Sequence, residues 1–595
     1  KLFPLNNYIK IQLEGDRENI NAIGSTVTVY IRDQIFYLEQ MPIRGFQSTV
    51  DNNLIFGIGE NVSIDSIEVN WDDGKQTTLY NISSNQTIPI NKSNANSANE
   101  VYQDNVKLFN EVGDEILSHI HYENNFVDFD RDRLLFHMSS SEGSCICEGD
   151  INNDGYPDLY IGGSKGYPGS IYIWKKNRFI KYFYPFLDED KESEDTDCVF
   201  FDANSDGNLD LYVASGGNEY SIYSPELRDR LYFNNGDTFN KSTQILPAGK
   251  FESSSVVLKN DYDNDGDDDL FVGTRLIPQK YGLPSNGYFL ENDGYGNFSD
   301  VTARIADKLN NIGMITDAKF FDYDIDGDND LILVGHWMPI TLFENINGSF
   351  SPKEIGTFEK SEGWWNTIEL GDLNNDGKLD LVVGNHGENS RFKASKSKPV
   401  SMYINDFDDN NSIEQVIFQY NGDSSYTMAL RHDLVMQMPG LKKRYLKYNS
   451  YKNQTVYDIF SPEKIRTSHV NLVHDLKTSA FLNKGNNFEK ISLPIESQFS
   501  NIFSVGIDDY NNDGYSDIIL AGNLYDVKPE VGRYDANYGQ ILLGGEELKF
   551  EVVPYNYSGL SLDSQVRDFS ILKNLGGKNY LLVLNNNDTL QSYSF

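Results

Sequence analysis

Asp322–Asp330 reads DYDIDGDND, and LILVG follows at once from Leu331. Oxygen-bearing side chains stand at positions 1, 3, 5 and 9 of the nine, and Gly327 at position 6 allows the sharp turn that brings a backbone carbonyl inward at position 7. The pattern recurs at Asp150 (DINNDGYPD), Asp202 (DANSDGNLD), Asp261 (DYDNDGDDD), Asp372 (DLNNDGKLD) and Asp509 (DYNNDGYSD). Each copy runs into a short apolar stretch ending in small residues, such as DLYIGG, DLFVGT or DIILAG, which reads as buried strand.

Crowded hard oxygens suit calcium, because four or five carboxylate and amide oxygens in one tight turn repel unless a cation joins them. An EF-hand begins alike but requires Glu at position 12 and a helix after it. Position 12 here is Ile161, Val213, Val272, Leu333, Val383 or Leu520, so these are loop-and-strand units. About six calcium sites are expected, one per loop. Their ligands would be Asp150, Asn152, Asp154 and Asp158; Asp202, Asn204, Asp206 and Asp210; Asp261, Asp263, Asp265 and Asp269; Asp322, Asp324, Asp326 and Asp330; Asp372, Asn374, Asp376 and Asp380; and Asp509, Asn511, Asp513 and Asp517.

Successive first aspartates lie 52, 59, 61, 50 and 137 residues apart, within or just above the period of four-stranded propeller blades, with one long gap. A chain of 595 residues exceeds one ordinary core, so a repeat architecture is expected. A formal net charge of −39 argues against a nucleic-acid backbone as partner. Cys145, Cys147 and Cys198 are too few for a disulfide framework and read as small core residues. The chain has no transmembrane run, and it opens on Lys1 without a signal peptide, as if processed or incomplete at its start. Multi-copy calcium loops suit millimolar calcium, which places the protein outside the cell or on its surface.

Residues 1–92 carry no calcium loop and alternate like a small β-domain, in runs such as YIKIQLEG, STVTVYIR and DSIEVNW; residues 93–118 read as linker. The segments GDRENINAIGSTVTVYI, RGFQS (Arg44–Ser48), LIFGIG (Leu54–Gly59) and IEVNWDDGKQTTLYNISSNQ resemble the ASPIC/UnbV domain, with Ser25, Phe46, Ile55 and Asp72-Asp73 departing from its usual Ala, Tyr, His and Pro-Ser. The calcium pattern and its strand resemble FG-GAP/VCBS repeats, the blades of integrin-α-like propellers. The combination is similar to bacterial VCBS proteins, in which another propeller often precedes the ASPIC/UnbV domain. Such proteins often accompany TonB-dependent uptake systems, so the resemblance implies a surface accessory subunit of an outer-membrane nutrient-uptake or adhesion assembly, with outer-membrane transporters as candidate partners.

The expected fold is all-β: the small domain, then residues 119–595 as a propeller of seven blades, with eight as the alternative. The long gap holds a degenerate copy, DFDDNNSIE from Asp406, read as the outer hairpin of the fifth blade, and a partly helical insertion near 424–470. The C-terminal segment supplies three strands, and FVDFDRDRLL near Phe126 is expected to add the fourth and close the ring. Calcium loops then share one face, and the other face gathers His336, Trp337, Trp364, Trp365, His386, Asn389, Arg391, Arg533 and Tyr534. These could grip a glycan or protein, or could brace long loops against each other. On the binding reading, Trp337→Ala with Trp365→Ala would keep the fold and abolish capture. Catalytic signatures such as a Ser nucleophile elbow or HExxH are absent, so a non-enzymatic binding or scaffold protein is expected. The alternative is a polysaccharide lyase using a group such as Lys280, Arg391 or Tyr534. His119, His121 and Glu123 could hold a transition metal but read better as packing beneath the propeller.

Overall fold

The computed structural model describes residues 6–32, 34–43, 45–96, 107–247, 249 and 252–595. Arg44 of the RGFQS segment and residues 97–106 of the expected linker lie outside the described residues. The chain divides into two units between residues 106 and 107. No helix among the described residues is long and apolar enough to cross a membrane.

Period-two alternation builds the first unit. In Asn7–Glu14 every second side chain, Ile9, Ile11 and Leu13, is buried. That strand is central in a three-stranded sheet, antiparallel to Asn53–Gly59 and parallel to Gln86–Asn91. A four-stranded sheet in the order Gln34–Glu39, Thr26–Ile31, Ser63–Asn70, Gln76–Ser83 supplies Val27, Val29, Ile64, Ile67 and Val69 to the same core. Lys92 is buried between Asp16 and Asp72, both at 2.7 Å, with Asp73 at 3.3 Å. The Asp pair standing where the resembled family has Pro-Ser is thereby matched by a cation. The turn Lys92–Asn94 and the bridge from Asn96 to Gln76 extend this domain past residue 92.

In the second unit, each Asp/Gly loop is the turn between the first two strands of an antiparallel four-stranded meander. The fourth meander shows the order: Met314–Phe321, the loop, Asp330–Met338, Thr341–Ile346 and Ser349–Lys353. The strand after each loop is buried along its whole length, as in Asp210–Gly216 and Asp517–Gly522, except at Arg275 in the third, because the sheets are covered on both faces. Between the third and fourth sheets, Phe289 stacks on Phe350 at 4.5 Å, with Tyr262 and Phe271 beside them. Each such ring contributes about 1.5–3 kcal/mol by burial. The first strands Ile146–Gly149, Glu194–Phe201, Ser253–Asn260, Met314–Phe321, Thr367–Gly371, Ile502–Asp508 and Val566–Leu575 pack each on the next, and the last returns to the first.

Three expectations are corrected. The last sheet takes its fourth strand from Asn110–Glu111, which pairs with Gln591–Ser594, so residues 107–118 belong to the second unit rather than to a linker. The segment near Phe126 does not close the ring. Its Asp128 is buried and accepts bonds from Ser139 N, Ser140 N, Ser140 Oγ and Asn218 Nδ2, which holds the segment as a folded crossing rather than a strand. The degenerate loop is not an outer hairpin of the fifth sheet. That sheet runs Thr367–Gly371, Asp380–Gly384, Ser479–Asn483, Phe488–Ser492, and an insertion separates its second and third strands. The insertion carries its own sheet, ordered Ser424–Thr427, Glu414–Asn421, Val400–Asn405, His469–Val473. The expected helical part is present within it, as Arg431–Gln437, Tyr448–Tyr451, Val456–Ile459 and Pro462–Thr467.

Candidate functional site

The six loops share one bonding pattern. The first aspartate (Asp150, Asp202, Asp261, Asp322, Asp372 or Asp509) accepts at one oxygen from the N–H of position 5 and at the other from that of position 6, all at 2.8–3.1 Å. The position 5 carboxylate (Asp154, Asp206, Asp265, Asp326, Asp376 or Asp513) accepts from the N–H of position 7 at 2.9–3.2 Å. Gly at position 6 is required by the backbone: its φ runs from 83° at Gly377 to 102° at Gly327, a region L side chains avoid.

The last aspartate ties loop to sheet. One oxygen of Asp158, Asp210, Asp269, Asp330, Asp380 and Asp517 accepts from Trp174, Asn234, Asn292, Asn345, Asn483 and Gly544 N–H respectively, at 2.7–2.9 Å. All six are buried. Burial pushes their carboxyls up, to about 7 for Asp158, Asp210, Asp269 and Asp330 and to about 6 for Asp380 and Asp517. In the third loop Asp261, Asp263 and Asp265 bring carboxylate oxygens within 4.8 Å of one another, and in the fourth Asp322, Asp324 and Asp330 do the same. Buried oxygens there, Asp269 Oδ2 and Asp324 Oδ1, have no hydrogen-bond partner. An all-oxygen donor set with orphaned buried carboxylate oxygens fits a hard divalent cation. Asn152, Asn204, Asn374 and Asn511 stand at the third position, with Asn374 Nδ2 and Asn511 Nδ2 bonded to the next carboxylate, Asp376 and Asp513.

The expected ligand face is not an open surface. His336, Trp337, Trp364, Trp365, His386 and Tyr534 are buried, while Asn389 and Arg533 are exposed and Arg391 is half-buried. The segment Asp128–Glu142 lies across this end of the blades and forms a plug over the propeller mouth. Phe136 packs on Phe392 at 4.7 Å and on Trp364 at 5.1 Å, and Trp364 meets Trp337 edge-on at 5.2 Å. His137, Trp337 and His336 converge on the Tyr281 hydroxyl, and Trp365 Nε1 donates to Ser361 O at 2.9 Å. With Trp365 fully buried, the Trp337→Ala, Trp365→Ala pair opens the core instead of leaving the fold intact. His119 and His121 are held as neutral rings: burial lowers them to about 3 and 4, His119 Nδ1 bonds Tyr172 Oη at 2.8 Å, and His121 Nδ1 accepts from Asn587 N. They do not come together with Glu123 as a ligand trio among the described residues.

Beneath the plug lies a cavity of ≈ 380 Å³ walled by charged groups, among them Asp197, Asp317, Lys319, Glu369, Arg567 and Asp568. Three of these form latches between neighbouring sheets. Asp197 accepts from Val257 N at 2.7 Å, Asp317 from Ile368 N at 2.8 Å, and Asp568 from Ile146 N at 3.0 Å, the last joining the seventh sheet to the first. Bulge residues add hydroxyl bonds between sheets: Thr196 to Ser254 O and Thr316 to Trp365 O cross the seams of the first two latches, and Ser255 to Ile315 O crosses the seam between the third and fourth sheets. Sequence reading passed over these aspartates, although a signal exists: TDCVFF, TDAKFF and RDFSIL repeat an Asp at the same place before an apolar strand.

The family model for ASPIC and UnbV matches residues 15–97, and that for the FG-GAP-like repeat matches residues 150–213, 202–272 and 322–383. No curated protein matches the chain significantly. Solved structures similar to it include YCF48 from Cyanidioschyzon merolae (9% identity, TM-score 0.37, 77% of this chain and 97% of that one) and the Dos1 propeller (12%, 0.35, 78% and 97%). The V. cholerae biofilm matrix protein Bap1 is another (10%, 0.35, 81% and 91%). The loop at Asp509 lies outside the matched repeats and yet shows the same bonds, so the repetition reaches further than the family match. The chain is a repeat protein that joins an ASPIC and UnbV domain to FG-GAP-like repeats on an all-β, propeller-type framework.

Proposed function

We propose that the protein is a non-enzymatic propeller scaffold, six of whose blades are locked by calcium, working outside the cell as an accessory subunit of an outer-membrane uptake or adhesion assembly. The observation that carries this is the recurrence of one loop geometry six times, with carboxylates converging and buried oxygens left unpartnered in the third and fourth loops. Calcium would supply the positive charge these oxygens lack, so it acts on stability and not on a reacting atom. Weak oxygen sites fill at the millimolar calcium found outside cells, which supports an extracellular location. The plugged mouth favours a platform over a small-molecule receptor, because the aromatic groups that could capture a ligand are occupied in packing. Recognition then falls to the outer surfaces of the blades and of the insertion, where a protein partner or a glycan chain can be met. Co-purification from native membranes in calcium, repeated with chelator, tests the assembly role. A stable transporter-sized complex that dissolves on chelation is expected, and a free, unassociated protein in both conditions contradicts it. The lyase alternative predicts unsaturated product from acidic polysaccharide, read by absorbance; the scaffold reading predicts none.

A further inference from the structure

We propose a seventh calcium site at Asp406–Glu414, in the inserted sheet and outside the ring of blades. It rests on the reading of the blade loops as calcium sites, and it assigns the cation to a sequence that lacks both the Gly and the final Asp of the repeat: Asp406, Phe407, Asp408, Asp409, Asn410, Asn411, Ser412, Ile413, Glu414.

The nine residues form the turn between Val400–Asn405 and Glu414–Asn421 and reproduce the turn bonds of the blade loops, all but the one to the third strand. Asp406 accepts from Asn410 N at 2.9 Å and from Asn411 N at 2.8 Å; Asn410 Oδ1 accepts from Ser412 N at 2.7 Å; Glu414 Oε2 accepts from Phe407 N at 2.8 Å. Asp409 takes φ of 59° and Asn411 φ of 66°, the positions where the blade loops place their left-handed residue and their Gly. Asn tolerates that region better than other side chains, which explains how the turn survives without Gly.

A shared turn alone could be an empty one, and the decisive observation is Glu414. Its side chain is 0% exposed, and Oε1 has no hydrogen-bond partner. In the blades the corresponding second oxygen is taken by an N–H of the third strand, whereas the inserted sheet offers none. A buried carboxylate oxygen left bare costs free energy unless a cation meets it. Glu414, Asp406 and Asp408 bring carboxylate oxygens within 4.8 Å of one another. The three carboxylates equal the number in the loops at Asp150, Asp202, Asp372 and Asp509, so the charge available to a divalent ion is the same. Lys464 lies close enough for its charge to act on Asp406 and Glu414, but its Nζ hydrogen-bonds the Asp406 main-chain carbonyl and Asp409 Oδ1 and no side-chain oxygen of the trio, so Glu414 Oε1 stays bare. All donors are oxygen, which selects calcium over a transition metal.

The site would pin the turn beneath the helical part of the insertion, where Phe407 stacks on Phe460 at 3.8 Å. The test counts bound calcium on the full chain by equilibrium dialysis in millimolar calcium with elemental analysis, after exhaustive chelation. Asp408 is exposed and carries none of the turn's bonds described above, so Asp408→Ala removes a ligand with little cost to folding; Glu414→Gln is the second variant, and Asp263→Ala, at the same loop position in the third blade, is the control. The expected result is one calcium fewer per chain in each variant, with the parent circular-dichroism spectrum. Asp408→Ala and Glu414→Gln binding as many ions as the parent, while Asp263→Ala binds one fewer, overturns the seventh site and leaves the blade sites standing. No loss in any variant overturns both.

Discussion

Ile325 occupies the fourth position of its loop at φ 64°, where the other five loops place Asn153, Ser205, Asn264, Asn375 or Asn512. A β-branched residue there carries a cost of about 1–2 kcal/mol, and Ile325 is 65% exposed, so no packing compensates for it. Ile325→Asn is therefore expected to stabilise the protein by about 1 kcal/mol in urea unfolding; a neutral or destabilising change would show that the loop is not held in this turn. The latch aspartates give a second residue-scale expectation. Enclosure at the cavity wall raises Asp197 to about 8 and Asp568 to about 7. A carboxyl whose folded pKa lies above its unfolded value contributes stability that is complete below about pH 4 and is lost as pH rises through 7–8. In saturating calcium, the melting temperature is expected to fall from pH 5 to pH 8, and to fall less in Asp197→Asn. An identical pH slope in the two proteins would remove Asp197 from the titrating set.

At the scale of elements, the segment Asp128–Glu142 decides what the propeller mouth can do. Phe136 sits between Trp364, Phe392 and His386. Phe136→Ala is expected to cost about 3 kcal/mol and to raise acrylamide quenching of tryptophan fluorescence, since it uncovers Trp364. Unchanged quenching would mean that the mouth is covered by something else. The strands after the Asp/Gly loops were legible in the sequence because a buried strand between two sheets needs a continuous apolar run and a small-residue stop, which DLILVG and DIILAG supply. The fate of FVDFDRDRLL was not legible. Its alternation suits an edge strand, and only the distant Ser139, Ser140 and Asn218 show that Asp128 is wanted as a buried acceptor. The Trp and His residues of the mouth were placed at the right end of the blades, but their burial depends on that same crossing segment, which no local pattern announces. The loop at Asp406 reads in sequence as a degenerate copy, with Asn410, Asn411 and Glu414 in place of Asp, Gly and Asp, and yet Asn411 fills the same backbone conformation as the Gly.

For the whole molecule, first strands packed in a closed series make stability collective: each sheet is held by its two neighbours, and the Asp568–Ile146 bond joins the last to the first. On the proposed calcium reading, loops that bind an ion only when folded would add to this by linkage. At calcium ten times above the dissociation constant, each site contributes about 1.4 kcal/mol, and six sites about 8 kcal/mol. The loops lie at the blade ends away from the plug, so removing the ion loosens turns without exposing the mouth. Calorimetric unfolding of the full chain in millimolar calcium, against the same protein in chelator, tests the central claim that these loops are calcium locks. A melting temperature lower by ten degrees or more on chelation (roughly, from that linkage term), restored by added calcium and not by magnesium, is the predicted result; a melting temperature indifferent to chelator would contradict it.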